Sequence, residues 1–364
     1  MKPIAIVGAG NGGCAMAADL TLRGIPVHLC EIYRLERIFE LKKRGGIELG
    51  GAAGSGLATP KLLTTDFAEG VRDVDVIIWT IPANGHAFHV RQAAPHLRAN
   101  QVLILTPGAV GGALFVNHSL KQLGVMDVHV GETCTLPYGC RLTNPFHVEI
   151  YDVAKDVLFA MFPDVETDRI LALLKPIFPN LSRGETVLDT SLNYMNMLLH
   201  PVGVILNAGW IEHRRGDFAY YYEGISPAVA RVLEEVDWER LNILRALSLR
   251  PVSFVEWFFR RGKTENKESV YMAIHSSVPN RNFRAPESLE HRFLVEDVPF
   301  GLVPLAQFGR LLGVATPVTN ALILLASKMC GQDFSQDGID LHKMGIAGMP
   351  PTQLKNWVSA GRLV

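Results

Sequence analysis

The chain has 364 residues, too many for one ordinary hydrophobic core and suited to two domains of roughly 150 to 200 residues each. Its 35 Lys and Arg balance 36 Asp and Glu to a formal charge of -1, so no summed field would hold a polyanion, and no nucleic-acid partner is expected. Hydrophobic residues at 48% and charged residues at 20% exclude a disordered chain and a low-complexity scaffold.

Met1-Lys2-Pro3 runs straight into an apolar strand with no basic leader, and no stretch reaches the roughly 18 uninterrupted apolar residues of a bilayer span. A soluble, cytoplasmic protein with no membrane partner is expected. The five cysteines, Cys14, Cys30, Cys134, Cys140 and Cys330, include no CxxC pair and read as free, buried thiols of a reducing compartment.

In chain order, Ile4–Val7 reads as a strand, Gly12–Arg23 as a helix stopped by Gly24, and Val27–Glu31 as a second strand. The glycine-rich segment 46–60 predicts an inserted hairpin or loop. A strand at Val74–Thr80, a helix at His86–Leu97, a strand at Val102–Leu105, a helix at Gly112–Leu123 and a strand at Val128–Gly131 follow. Strands joined by helical crossovers make an α/β Rossmann-type doubly wound parallel sheet. From about residue 185 helical periodicities take over, at Leu188–Trp210, Pro227–Leu247, Val252–Arg260, Leu302–Leu312 and Thr316–Met329, and predict a mostly α-helical C-terminal domain. With Phe178-Pro179-Asn180 as connector, the expected domains are 1–180 and 181–364.

Gly8-Ala9-Gly10-Asn11-Gly12-Gly13 fits GxGxxG directly after a strand and opens a helix. Gly8 suits the tight turn, Gly10 lets backbone approach a pyrophosphate, and Gly13 lets helix and sheet pack closely, with Asn11 and Gly12 at the helix start. Glu31 ends the second strand 18 residues after Gly13, placed to accept from both ribose hydroxyls and to repel a 2′-phosphate. The expected cofactor is therefore NADH, with NADP left open by Arg34. The first domain reads as dinucleotide-binding and the second as substrate-bearing and catalytic.

Ligands of such sheets lie beyond the carboxyl ends of the strands. There the chain carries Ile81-Pro82-Ala83-Asn84, Thr106-Pro107-Gly108 and Gly131-Glu132-Thr133-Cys134. Pro82 and Pro107 are candidate cofactor contacts and Thr133 and Cys134 candidate substrate contacts, although turn residues that merely stop strands read the same way. Asn196 and His200, four apart in an apolar helix, share one face; a buried His there serves either as a satisfied core residue or as a proton carrier. The twelve His include no HExxH, and His86 and His89 form a lone pair on an expected surface helix, so no metal is expected.

The run Thr190-Ser191-Leu192-Asn193-Tyr194-Met195-Asn196-Met197-Leu198-Leu199-His200-Pro201, with Asn207-Ala208, Pro107-Gly108-Ala109-Val110-Gly111-Gly112-Ala113, Tyr221-Tyr222-Glu223-Gly224-Ile225-Ser226-Pro227 and Arg292–Pro304, resembles the octopine/nopaline (opine) dehydrogenase family almost end to end. The resemblance implies NADH-dependent reductive condensation of an L-amino acid with a 2-oxo acid through an imine. It places the family's catalytic His, Arg and Asp at His200, Arg292 and Asp297, with Asn196 positioning a substrate polar group. Two alternatives stay open: a glycerol-3-phosphate or ketopantoate type of hydroxyl dehydrogenase, whose active-site Lys has no counterpart near His200, and a non-catalytic dinucleotide-binding regulator. Tyr220, Tyr221, Tyr222, Trp210 and Met197 are candidate lining for the amino-acid pocket. The apolar segment Val252–Phe259 suggests either internal packing or a dimer contact, with a slight lean to a homodimer.

Overall fold

The computed structural model describes residues 2–362. Strands β1 (Ile4–Val7), β2 (Val27–Cys30), β3 (Ile47–Gly51), β4 (Gly56–Ala58), β5 (Leu62–Thr64), β6 (Val76–Trp79), β7 (Val102–Leu105), β8 (His129–Thr133), β9 (Tyr138–Asn144), β10 (His147–Val153), β11 (Val157–Phe162) and β12 (Leu181–Arg183) interleave with helices. These helices are α1 (Asn11–Leu22), α2 (Glu36–Arg44), α3 (Phe67–Gly70), α4 (His86–Ala93), α5 (Gly112–Gln122) and α6 (Thr167–Leu174).

Eight strands form one sheet in the order β12-β11-β8-β7-β6-β1-β2-β5. It is parallel from β5 to β8, and β11 joins β8 antiparallel. The order runs outward from β1 in both directions, so the topological switch lies between β1 and β6, beside the glycine-rich turn. Every residue of β1, β2, β6 and β7 is buried; with both faces covered, these strands are apolar throughout apart from His28 of β2, whose ring bonds the Gly70 carbonyl. The five expected strands all lie in this sheet. The apolar run of β11 and the three-residue strands β5 and β12 were not anticipated.

Segment 46–60 contributes the antiparallel pair β3 and β4 to a second sheet, β4-β3-β10-β9. Its apolar residues Ile47, Leu49, Tyr138, Val148 and Ile150 share a core with Ala15, Ala17, Ala18 and Leu20 of α1. Helix α1 is buried continuously from Gly12 to Leu20, which accounts for its small, apolar composition around the whole circumference. Tyr138 donates its hydroxyl to the buried Asp19 carboxylate at 2.8 Å. Helix α4 corrects the expectation of a surface position: His86 and His89 are buried, because α4 packs on α5 and sets both rings near Trp79, at 6.2 and 5.8 Å.

The chain divides into two compact units, Met1–Gly108 with Gly112–Val187, and Ala109–Gly111 with Leu188–Val364. Strand β12 belongs to the large sheet, so the sheet unit runs past position 180.

The second unit is built from α7 (Val187–Leu192), α8 (Asn196–Leu206), α9 (Ala208–Arg214), α10 (Pro227–Ala246), α11 (Phe254–Arg260), α12 (Val270–His275), α13 (Arg292–Val295), α14 (Val303–Leu312), α15 (Pro317–Cys330), α16 (Phe334–Asp337) and α17 (Pro351–Ala360). The single helix expected over Leu188–Trp210 is broken at Tyr194 and at Asn207, whose amide donates to the carbonyls of Gly203 and Gly224. Ser226 caps α10 by accepting from Val229 N–H, with Pro227 in the first turn. Buried Arg240 of α10 ties Asp237 to the carbonyls of Leu192 and Val252. Glu239 accepts the Val318 and Thr319 N–H groups at the start of α15, where a carboxylate suits the helix dipole. Phe254 and Phe258 of α11 are buried, while Val252, Val255, Trp257 and Phe259 of the same apolar segment are half-buried. Among the described residues no helix is long and apolar enough to cross a membrane, and no cluster of three or more His, Cys, Asp or Glu is arranged to hold a metal.

Candidate functional site

The glycine-rich turn is shaped by what its glycines exclude. Gly8 has φ +104°, a region other residues rarely enter, and a Cβ on Gly13 would stand 1.7 Å from the Gly8 carbonyl oxygen. These two glycines are demanded by the protein itself. Gly10 differs: a Cβ there would meet nothing within 4 Å, so its bareness leaves open a cradle for something outside the chain. Cys14 N–H is bonded back to the Gly10 carbonyl, and the N–H groups of the first helical turn before it point outward, as a pyrophosphate requires.

Glu31 fixes this cradle. Its carboxylate, 6% exposed, accepts from Ala9 N–H at 2.8 Å and from the N–H groups of Tyr33 and Arg34 at 2.9 and 3.0 Å. The turn is thereby tied to the end of β2 by a buried carboxylate. Thr80, which sequence reasoning missed, locks the other side by sharing its hydroxyl between the carbonyls of Val7 and Gly8 at 3.1 and 3.0 Å. Asn11 turns its Oδ1 to Leu142 N–H on β9 and so anchors the start of α1 to the small sheet.

Pro82 is exposed just after the carboxyl end of β6, and Pro107 is half-buried after β7. The segment Gly131–Cys134 is not the loop that its composition suggested. Residues Gly131 to Thr133 belong to β8. Buried Glu132 accepts Ala113 N–H at the start of α5, Thr133 donates to the Thr135 carbonyl, and Cys134 N–H donates to Leu158. Burial pushes the thiols of Cys14, Cys30 and Cys140 up to about 12, which keeps them protonated and unreactive.

In the helical unit, α8 and the segment from α13 onward converge. His200 Nδ1 lies 2.7 Å from Asp297 Oδ2, and Asp297 is fully buried. A carboxylate can only accept, so Nδ1 carries the proton and Nε2 the lone pair, which has no partner among the described residues. Phe293 stacks on the imidazole with ring centroids 3.5 Å apart, and Tyr220 pins α8 by donating to the His200 and Leu199 carbonyls at 2.6 and 3.0 Å. Burial draws the His200 pKa below its ordinary value against the opposing pull of Asp297, so the ring is neutral at pH 7. The chain continues from Asp297 into a short π-helix, Val298–Leu302, a rare turn that often marks functional positions.

Arg292 donates from Nε to Glu296 Oε2 at 2.9 Å; the Glu296 side chain is 3% exposed and that of Arg292 48%. The Glu296 charge raises the Arg292 pKa further. This contact uses Nε and leaves the Nη pair without a hydrogen-bond partner among the described residues, a fork that matches a carboxylate. Asn196 sits half-buried in the first turn of α8, one turn before His200. Of the proposed pocket lining, Tyr220, Tyr221 and Met197 are buried in the core, Tyr222 bonds the Ser277 carbonyl, and Trp210 stacks on Phe218.

Sequence reasoning missed Tyr194, whose hydroxyl donates to Asp297 Oδ1 at 2.5 Å, and Glu296. Both were accessible in principle: a tyrosine in an apolar run needs a hydrogen-bond partner, and Glu296 stands four residues from Arg292 on one helical face.

The helical unit matches the family profile "NAD/NADP octopine/nopaline dehydrogenase, alpha-helical domain" over residues 183–330. An opine dehydrogenase of Arthrobacter sp. (strain 1C) is 35% identical over 98% of this chain and 99% of its own length. The chain belongs to the opine dehydrogenase family. It is thus a nicotinamide-dependent oxidoreductase acting on CH–NH donors. Residues 4–159 of this opine dehydrogenase family member, almost all of them in the sheet unit, also match the ketopantoate reductase PanE/ApbA profile. Among solved structures, octopine dehydrogenase with NADH and L-arginine has a TM-score of 0.79 at 18% identity, covering 100% of this chain and 98% of that one. Yersinopine dehydrogenase with bound NADP+ has a TM-score of 0.72 at 17% identity, covering 94% and 97%. At these identities the likeness establishes the fold.

Proposed function

We propose that the protein joins the amino group of an L-amino acid to the keto carbon of a 2-oxo acid such as pyruvate, with NADH as reductant. The observation that carries this reading is the buried His200–Asp297 pair with its unpartnered Nε2. Neutral His200 takes a proton from the substrate ammonium group, which frees the amine to attack the keto carbon. The protonated imidazole, stabilised by Asp297, returns that proton to the departing hydroxyl as the adduct loses water and becomes an imine. Arg292, braced by Glu296, binds a substrate carboxylate through its outer fork, and Asn196 orients a polar group of the same substrate. Bound NADH supplies the hydride that reduces the imine carbon to give the secondary amine.

The cradle at Gly10 fits the dinucleotide, and the buried charge of Glu31 favours NADH over NADPH because a 2′-phosphate would be brought against it. The test is an absorbance assay with purified protein, either reduced cofactor, pyruvate and a panel of L-amino acids. NADH should be oxidised only when oxo acid and amino acid are both present, and NADPH less efficiently in kcat/KM. Oxidation with the oxo acid alone would instead identify a hydroxy-acid dehydrogenase.

A further inference from the structure

Asp297 is fully buried, yet its charge must serve one ring nitrogen of His200 without capturing the proton itself. The carboxylate meets two side-chain donors: His200 on Oδ2 at 2.7 Å, and the Tyr194 hydroxyl on Oδ1 at 2.5 Å. Tyr194 is 1% exposed and occupies the break between α7 and α8, so the interruption that splits the expected long helix also delivers the hydroxyl to the carboxylate. A buried tyrosine in search of any acceptor could use a backbone carbonyl, as Tyr220 does. Tyr194 instead bonds the carboxylate that touches the imidazole.

We propose that Tyr194 is a positioning residue for the reaction: it holds Asp297 in register with His200 and, by taking up part of the carboxylate charge, sets how tightly His200 keeps its proton. This rests on the reading of His200 as the acid and base. The argument is electrostatic. A short bond to an ionised oxygen is strong in a water-free surrounding, and a buried carboxylate left with one donor concentrates its charge on the donor that remains. Removal of the phenol hydroxyl therefore strengthens the pull of Asp297 on the imidazolium. Burial and the Asp297 charge push the Tyr194 pKa well above its usual value, so the phenol stays a donor throughout the working pH range.

The experiment is the pH profile of kcat/KM for the Tyr194→Phe enzyme, with NADH affinity followed by fluorescence titration to show that the sheet unit is intact. The expected result is an acid limb displaced upward by about one pH unit, a kcat lowered by about tenfold and unchanged NADH affinity. Fluorotyrosine placed at position 194 keeps the ring and makes the phenol a stronger donor, so the same limb should move downward; this substitution carries the test alone if Tyr194→Phe does not fold. A lowered rate or stability with the limb unmoved in the variant that folds overturns the proposal. His200→Ala separates the two readings: if that variant keeps full activity the acid–base assignment goes, whereas its inactivity beside an unmoved Tyr194→Phe profile removes only the role of Tyr194.

Discussion

The glycine-rich turn and the His200 cluster do their work by opposite means. The turn, from Gly8 to Gly13, acts through backbone N–H groups and through the absence of side chains, and its parts are adjacent in sequence. The His200 cluster acts through side chains alone, and its two central members stand 97 residues apart. The turn is expected to resist additions for two separable reasons: Gly13 is closed by the protein itself, and Gly10, open in the chain, would be closed by the proposed dinucleotide. The cluster is expected to tolerate little removed, because the imidazole Nδ1–H, the carboxylate and the phenol hydroxyl satisfy one another, with Nε2 of His200 alone left open.

Removal at the cluster should have the largest effect. His200→Ala is expected to lower kcat by about 10² to 10⁴-fold, roughly 3 to 5 kcal/mol in the barrier. NADH affinity, measured by fluorescence titration, should barely change, since the turn lies in the other compact unit. A variant that lost cofactor affinity and rate together would erase the contrast between the two regions.

Additions at the turn come next, and they should divide. Gly13→Ala sets a methyl against the Gly8 carbonyl oxygen and should cost about 3 kcal/mol of stability or more in a urea titration, since the clash is with backbone. Gly10→Ala should leave the urea midpoint near wild type, yet weaken NADH binding by about tenfold or more, equivalent to 1.4 kcal/mol. Equal loss of stability in both variants would show that Gly10, too, is bare for the protein's sake.

The same contrast explains what could be read from the sequence. Local features were legible: the strand before Gly8, the helix after it, and Glu31 at the end of the next strand follow from short-range pattern and spacing. His200 and Asn196 were visible as polar residues in an apolar helix, but the pairing of His200 with Asp297 came from family resemblance, since no local pattern joins positions so far apart. Tyr194 escaped because a long apolar stretch was taken as one helix, and a break in a helix is a tertiary decision. Residues Gly131–Thr133 misled for the reverse reason. Gly, Glu and Thr read locally as a turn, but pairing with β7 and β11 makes them a strand, where Glu132 can cap α5.

His86 offers a test of a different kind, in a part of the sheet unit where a buried side chain has no hydrogen-bond partner. It is fully buried, both ring nitrogens lack a hydrogen-bond partner, and burial lowers its pKa to about 3. The unfolded chain takes up a proton at this residue near pH 6.5 and the folded protein does not until about pH 3. Between those values the unfolded state binds the extra proton, so stability falls as pH falls, by about 1.4 kcal/mol per pH unit from this group. Above pH 6.5 the residue contributes no slope. In urea titrations at steps from pH 7.5 to 4, the stability of wild type relative to His86→Phe should therefore fall as pH drops, whatever offset the new ring introduces at neutral pH. Parallel curves would mean that the imidazole already finds a partner for its proton inside the fold, and that this buried pocket, unlike the turn and the His200 cluster, imposes no cost on a charge.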